Sequence, residues 1–225
     1  MSDFWLAVRR LQARWRSSDP VYKAFVESPL PQRSTPFEDA ELVCLDIETT
    51  GLDPASADML SVGWVLIRDG RVDLATAEAH FVKPECDVGQ TASVHGLTDT
   101  IVGQGMSPTE AMHRVLEALT GKVLVVHYAG LDKSLLDRLC REQFGGKLLM
   151  PVIDTLALEH RRKSRHHHLN DTRSLRLPDL REHYNLPRYG GHDCLMDAVA
   201  TAELLIAMAA TRAHDGQITL ADLYC

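Results

Sequence analysis

The chain has 225 residues, 45% of them hydrophobic and 24% charged, a globular balance that excludes disordered and fibrous classes. That length suffices for one α/β domain with a substantial core and a small appendage. A net charge of −7 argues against a protein that coats nucleic acid non-specifically, but not against one that grips a nucleic acid locally, because a carboxylate-rich metal site itself adds negative charge.

Residues 1–17 are expected to form an amphipathic helix, with Phe4, Val8, Leu11 and Trp15 at i, i+4, i+7 and i+11 and Arg9, Arg10, Arg14 and Arg16 on other faces. The interleaved arginines lack the basic-then-apolar order of a secretory signal. Pro20, Pro29, Pro31 and Pro36 punctuate residues 20–38, which read as a linker or an extended wrap. The organisation expected is residues 1–39 as helix and Pro-rich linker, 40–212 as the compact domain, and 213–225 as a tail.

Leu42 to Ile47 is a short apolar run typical of a buried strand. Met59 to Arg68 and Arg71 to Val82 are two more strand-like stretches, joined by the hairpin signal Asp69-Gly70. Ser107, Pro108 and Glu110 make an N-cap, a first-turn proline and a capping box for a helix whose apolar face is Ala111, Met112, Val115, Leu116 and Leu119. Lys122 to His127 is the next buried strand, followed by a helix with Leu131, Leu135, Leu136 and Leu139 that stops at Gly145-Gly146. Leu149 to Ile153 is the last strand, with Asp154 placed to cap the helix starting at Thr155. Pro178 to Tyr184 reads as a short helix, and Asp193 to Ala210 as a long one with Leu195, Val199, Ala202 and Ile206 inward. The fold class implied is α/β: a three-strand antiparallel start, then β-α-β-α units, giving a mixed sheet flanked by helices.

No apolar run approaches the roughly 18 residues needed to cross a bilayer, so no membrane partner is expected. The five cysteines are widely and irregularly spaced, without a C-x-x-C pair. That disfavours both a zinc cluster and a disulfide framework and leaves a reduced, cytoplasmic setting.

Three segments carry chemistry. The first apolar strand ends in Asp46-Ile47-Glu48, and a strand period of two puts both carboxylates on one face, about 7 Å apart along the backbone. Like charges at that spacing need a cation if partly buried, and Mg²⁺ or Mn²⁺ suits oxygen ligands; alone, the pair reads first as a polar strand end in solvent. The second is Val125 to Asp132, where an acid follows a strand in the first turn of a helix; alone, Asp132 answers the helix dipole. The third is Gly190 to Asp197, where a glycine pair delivers His192 at a helix start. Taken alone, it is an Asp193 N-cap with a solvated Asp197.

Together, Asp46-Ile47-Glu48-Thr49-Thr50-Gly51, then Asp132, then His192 to Asp197 resemble the DEDDh (DnaQ-like) family of 3′–5′ exonucleases, to which the proofreading epsilon subunit of bacterial DNA polymerase III belongs. Val94 to Asp99 and Val152 to Leu156 look like further family segments, and the likeness runs from about residue 41 to 210. The resemblance implies a ribonuclease H-like five-stranded sheet with an N-terminal helical extension, and a two-metal phosphodiesterase using Mg²⁺ or Mn²⁺. Asp46 would bridge both ions, Glu48 and Asp197 would complete one site, and Asp132 would serve the other. His192 would act as general base, the ordinary imidazole pKa of about 6.5 suiting work near neutrality. The substrate implied is the 3′ end of DNA, released as 5′-mononucleotides. An exoribonuclease of the same family is the nearest alternative, and a non-catalytic binding module on a decayed nuclease fold is a more distant one.

Thr49, Thr50 and Gly51 would approach the terminal nucleotide through backbone N–H groups, and His95 and Leu97 would line its base pocket or else belong to a surface loop with one buried leucine. Tyr128, also a substrate-contact candidate, and Leu131 stand where family members commonly carry Asn and Phe, and Tyr128 cannot reproduce the amide's hydrogen bonds. The chain ends soon after the last helix, where the epsilon subunit has a longer polymerase-binding tail. A free-standing nuclease is therefore expected, with a protein partner for the N-terminal helix left open. Residues 160–176 hold six basic side chains, including Arg161, Arg162 and Arg165, against the single acid Asp171. They are expected to grip phosphates upstream of the scissile bond, or else to form a solvated loop. His166-His167-His168 points to a mobile basic loop more than to a metal site, since consecutive side chains cannot all face one ion.

Overall fold

The computed structural model describes residues 3–83, 105–165, 174–213 and 216–224. Five strands form one mixed sheet in the order β3-β2-β1-β4-β5. They are β1 (Leu42–Thr49), β2 (Met59–Arg68), β3 (Arg71–Phe81), β4 (Val123–Val126) and β5 (Val152–Asp154). β1 pairs antiparallel with β2, as β2 does with β3, while β4 lies parallel to both β1 and β5. Asp69 (φ 51°) and Gly70 (φ 67°) form the β2–β3 turn, as their left-handed preference dictates.

Strand alternation splits the core in two. Val43, Leu45 and Ile47 of β1 face a cluster built from α1 (Asp3–Arg16), α2 (Pro20–Glu27), α3 (Pro108–Leu119) and α4 (Asp132–Phe144). Leu42 and Cys44 face the other cluster, which draws on α5 (Thr155–Arg165), α6 (Leu177–His183), α7 (Cys194–Arg212) and the short α8 (Leu220–Leu223). α7 is long and apolar enough to cross a membrane by composition, but it lies against β1, β2 and β3 as a core helix. Cys44, Cys140 and Cys194 are buried free thiols.

Three readings of the sequence need correction. Residues 20–27 are a helix, not an extended wrap: Asp19 accepts from the Tyr22 N–H at 2.8 Å, and Pro20 sits at the first helical position, where its missing N–H costs nothing. The anticipated apolar face of α1 points outward, with Phe4, Leu11 and Trp15 exposed, and the helix docks through Leu6, Arg10 and Ala13. Arg10 explains the choice, because its guanidinium donates to the carbonyls of Phe25, Val26, Ser28 and Leu149. It thereby satisfies acceptors left open at the C-terminal end of α2. In α7, Leu195, Val199 and Ile206 are only half-buried, whereas Ala198, Ala202, Leu205 and Met208 are buried. A helix apolar over most of its circumference gives periodicity no phase to fix.

Candidate active site

The sheet's register builds the site. Asp46 and Glu48 lie within β1, opposite Gly63 and Ser61 of β2, on the face that carries α7. Gly63 is essential to that approach: a Cβ there would lie 2.6 Å from the Leu195 nitrogen and 2.8 Å from the Cys194 carbonyl carbon. Only a bare backbone lets the first turn of α7 sit directly on the sheet beside Asp46. Asp193 then caps α7, its Oδ1 accepting from the N–H groups of Leu195 (3.1 Å) and Met196 (2.9 Å). One helical turn later, Asp197 turns toward β1.

As a result, ligand atoms of Asp46, Glu48 and Asp197 lie within 4.8 Å of one another. Asp132, at the first position of α4, is buried beside them, close enough to act electrostatically on Asp46. Burial pushes the Asp46 carboxyl well above the usual carboxylate range, and Asp132, Asp197 and Glu48 add to the rise. Burial also raises Asp132 to about 8, against hydrogen bonds from its own backbone and from Ile47 that favour the charged form. Asp197 is raised by burial as well, partly offset by the backbone N–H of His192. Asp46 retains some solvent access although protein atoms surround it. Four carboxylates gathered in one place, with Asp46, Asp132 and Asp197 all resisting ionisation, are a site that lacks positive charge, and their all-oxygen donor set fits a hard divalent cation.

His192 is exposed, with a left-handed backbone (φ 69°), and its N–H donates to Asp197 Oδ2 at 3.1 Å. The strand end beyond Glu48 is held by paired bonds: Thr50 N–H to the Asp58 carbonyl (3.0 Å) and Asp58 N–H to Thr50 Oγ1 (2.9 Å). Thr49 Oγ1 donates to the Gly51 carbonyl at 2.7 Å, and open space surrounds Gly51. Tyr128 is exposed, at φ 91°. Its strained backbone is held by Asp154, whose carboxylate accepts from the N–H groups of Tyr128 (3.2 Å) and Ala129 (2.9 Å) while capping α5 through Leu156 (3.0 Å).

The structure does not bring Arg161 and Arg162 to the carboxylates. Arg161 donates to the carbonyls of Tyr224 (2.8 Å) and Asp222 (3.1 Å), and Arg162 binds the buried Glu159 at 2.6 Å. Both lie roughly two turns along α5 from Asp154, about 10 Å at 1.5 Å per residue. The side chain of Arg165, together with His95, Leu97 and the histidine run 166–168, lies outside the described residues. Sequence reasoning missed Gly63, and it missed the double duty of Asp154. A glycine inside an otherwise apolar strand signals close backbone approach, and that signal was available at position 63.

An exonuclease family model (RNase_T) matches residues 43–205. The chain belongs to that family. It is 33% identical over 172 residues to a PolC-type DNA polymerase III of Thermotoga petrophila, covering 76% of this chain and 12% of the polymerase. It is 29% identical over 186 residues to a DNA polymerase III subunit epsilon-like protein of Rhodobacter capsulatus, covering 77% of this chain and 24% of that protein. The chain thus spans about an eighth to a quarter of these relatives' length. Among solved structures it superposes on Exonuclease X, in complex with 5′ overhanging duplex DNA, with a TM-score of 0.60 at 21% identity, covering 81% of this chain and 98% of that one. The cell-death related nuclease CRN-4 gives a TM-score of 0.62 at 14% identity, covering 80% and 66%. The chain is therefore DnaQ-like in family and ribonuclease H-like in fold, and its carboxylate cluster fits divalent metal binding.

Proposed function

We propose that the chain hydrolyses phosphodiester bonds one nucleotide at a time from the 3′ end of DNA, releasing 5′-mononucleotides. The observation that carries this reading is the convergence of Asp46, Glu48 and Asp197 within 4.8 Å, with buried Asp132 beside them and His192 at the rim. Asp46 would be shared by two divalent ions, Mg²⁺ or Mn²⁺, with Glu48 and Asp197 completing one site and Asp132 serving the other. When bound, such ions neutralise the phosphate, activate water and stabilise the leaving 3′ oxygen. His192 takes the proton from the attacking water. Its exposed position lets it pass that proton on to solvent. Thr49, Thr50, Gly51 and Tyr128 border the terminal nucleotide, and His95 and Leu97 are assigned to the same pocket from sequence alone.

The DNA reading is supported by relatives named as DNA polymerase III proteins. Buried free thiols fit a reducing, cytoplasmic setting, and the outward apolar stripe of α1 supports a protein partner for that helix. The deciding experiment incubates 5′-labelled and 3′-labelled DNA and RNA oligonucleotides with Mg²⁺ or Mn²⁺. A ladder shortening from the 3′ end, mononucleotide release from the 3′ label and an intact circular single strand are expected. Faster cleavage of RNA would make it an exoribonuclease, and cutting of the circle would overturn the exonucleolytic reading.

A further inference from the structure

Arg181 of α6 is almost wholly buried, at 1% exposure, and it belongs neither to the metal set nor to the substrate-contact residues. Its guanidinium is committed on every side. Nε and Nη2 both donate to the Pro187 carbonyl, at 3.1 and 2.9 Å, and Nη1 donates to the Ala200 carbonyl of α7 at 2.7 Å. Nη2 also pairs with Glu203 of α7 at 2.7 Å. The Tyr189 ring stacks on the guanidinium at 4.4 Å, and the Tyr189 hydroxyl donates to the other Glu203 oxygen at 3.0 Å. One buried cation therefore pins both Pro187 and Tyr189 to the second and third turns of α7.

Immediately downstream come Gly190 and Gly191, with open space where side chains would be, then His192 in its left-handed conformation and Asp193 capping α7. The stretch delivering His192 is thus a short glycine span between two fixed points, the Tyr189 anchor and the Asp193 cap. Glycines alone give such a span wide freedom, so the placement of the imidazole depends on how close its two ends are held.

We propose that Arg181, Tyr189 and Glu203 form a tether whose function is to position His192 over the carboxylate cluster; the inference rests on the reading of His192 as the general base. Stability alone is a poor explanation, since a buried ion pair contributes little net stability compared with apolar packing. Leu177 and Leu180 already hold α6 on the core, whereas two of Arg181's four hydrogen bonds go to Pro187, just upstream of the span. Misplacing a catalytic group by about 1 Å costs on the order of 100-fold in rate.

The test uses Tyr189→Ala, Tyr189→Phe, the double variant Arg181→Met/Glu203→Met, and His192→Ala as reference. Readouts are kcat and KM on a single-stranded DNA oligonucleotide with Mn²⁺, Mn²⁺ affinity by calorimetry, and melting temperature. Tyr189→Ala is expected to lose about 10- to 100-fold in kcat with KM and Mn²⁺ affinity unchanged. Tyr189→Phe, which keeps the stacked ring, should recover most of that loss. The double variant, its buried pair replaced by apolar side chains, should show the same kcat defect per folded molecule even where the carbonyls that lose their donor lower its melting temperature. Should it fail to fold, Tyr189→Ala at its half-buried position decides the matter. Wild-type kcat in Tyr189→Ala while His192→Ala is inactive overturns the tether and leaves the base in place. A kcat loss that merely follows lost Mn²⁺ affinity or lost folded protein also overturns it. Full activity in His192→Ala overturns the base and the tether together.

Discussion

Replacing Asp132 by Asn asks whether the acids of the cleft are assembled for a cation at the expense of the metal-free fold. Burial holds the Asp132 carboxyl at about 8 instead of 3.8. An acid whose pKa is raised by folding keeps its proton more tightly folded than unfolded, so the penalty is absent below about pH 4, grows as pH rises, and levels off above about 8. At pH 7, roughly three pH units above the unfolded value, the ceiling is about 4 kcal/mol at 1.36 kcal/mol per pH unit. Water entering the cleft and relaxation around the charge reduce this, so we expect metal-free Asp132→Asn to be about 1–3 kcal/mol more stable than wild type at pH 7. For a chain of this size that is a rise of about 2 to 12 °C in melting temperature.

The assay is thermal melting in EDTA from pH 4 to 9, followed by the same series in saturating Mg²⁺. The stability gap should close toward pH 4, and Mg²⁺ should favour wild type, because an ion bound only by the folded state stabilises it by mass action. Equal melting temperatures across the whole pH range in EDTA would refute the claim that Asp132 is held in a site short of positive charge.

Asp46→Ala is expected to abolish cleavage by several orders of magnitude with the fold retained, read from single-turnover rates beside circular dichroism. Gly63→Ala should force α7 off the sheet, costing about 1–3 kcal/mol in urea unfolding and roughly 100-fold in kcat through displacement of Asp197. Arg10→Met should destabilise the chain by about 2–4 kcal/mol, because buried carbonyls of α2 and Leu149 lose their donor, with kcat per folded molecule unchanged. The triple variant Arg161→Ala, Arg162→Ala and Arg165→Ala decides the phosphate-grip reading. Three single-strand contacts would flatten the log–log salt slope of binding in Ca²⁺ by roughly 2. Because Arg161 and Arg162 already bond within the chain, a change of about 0.7 or less is expected.

What was legible in the sequence was legible for physical reasons that act locally. Turn chemistry and apolar runs set β1, β2 and β3, because Asp69-Gly70 favours a hairpin geometry and an apolar strand ending in two like charges calls for a compensating cation if both are buried. The gathering of acids was readable because each is fixed by its own segment: Asp46 and Glu48 by strand period, Asp132 and Asp197 by first turns of helices. The residues that bring those segments together were not. Gly63 looks like a weak point in a strand until the register puts it opposite Asp46 and α7 needs the room. Arg181 looks like one more surface cation in a chain with 24 Lys and Arg, and only the fold shows it buried against Pro187, Tyr189 and Glu203. Likewise, hydrophobic periodicity assigned α1 an inward face of Phe4, Leu11 and Trp15, while an arginine placed to meet four carbonyls drew the opposite face onto the core. Apolar pattern predicts burial where removing apolar area from water outweighs every competing interaction. Where unsatisfied helix-end carbonyls lie within reach of one guanidinium, their desolvation outweighs the stripe, and the aromatic face is left to solvent.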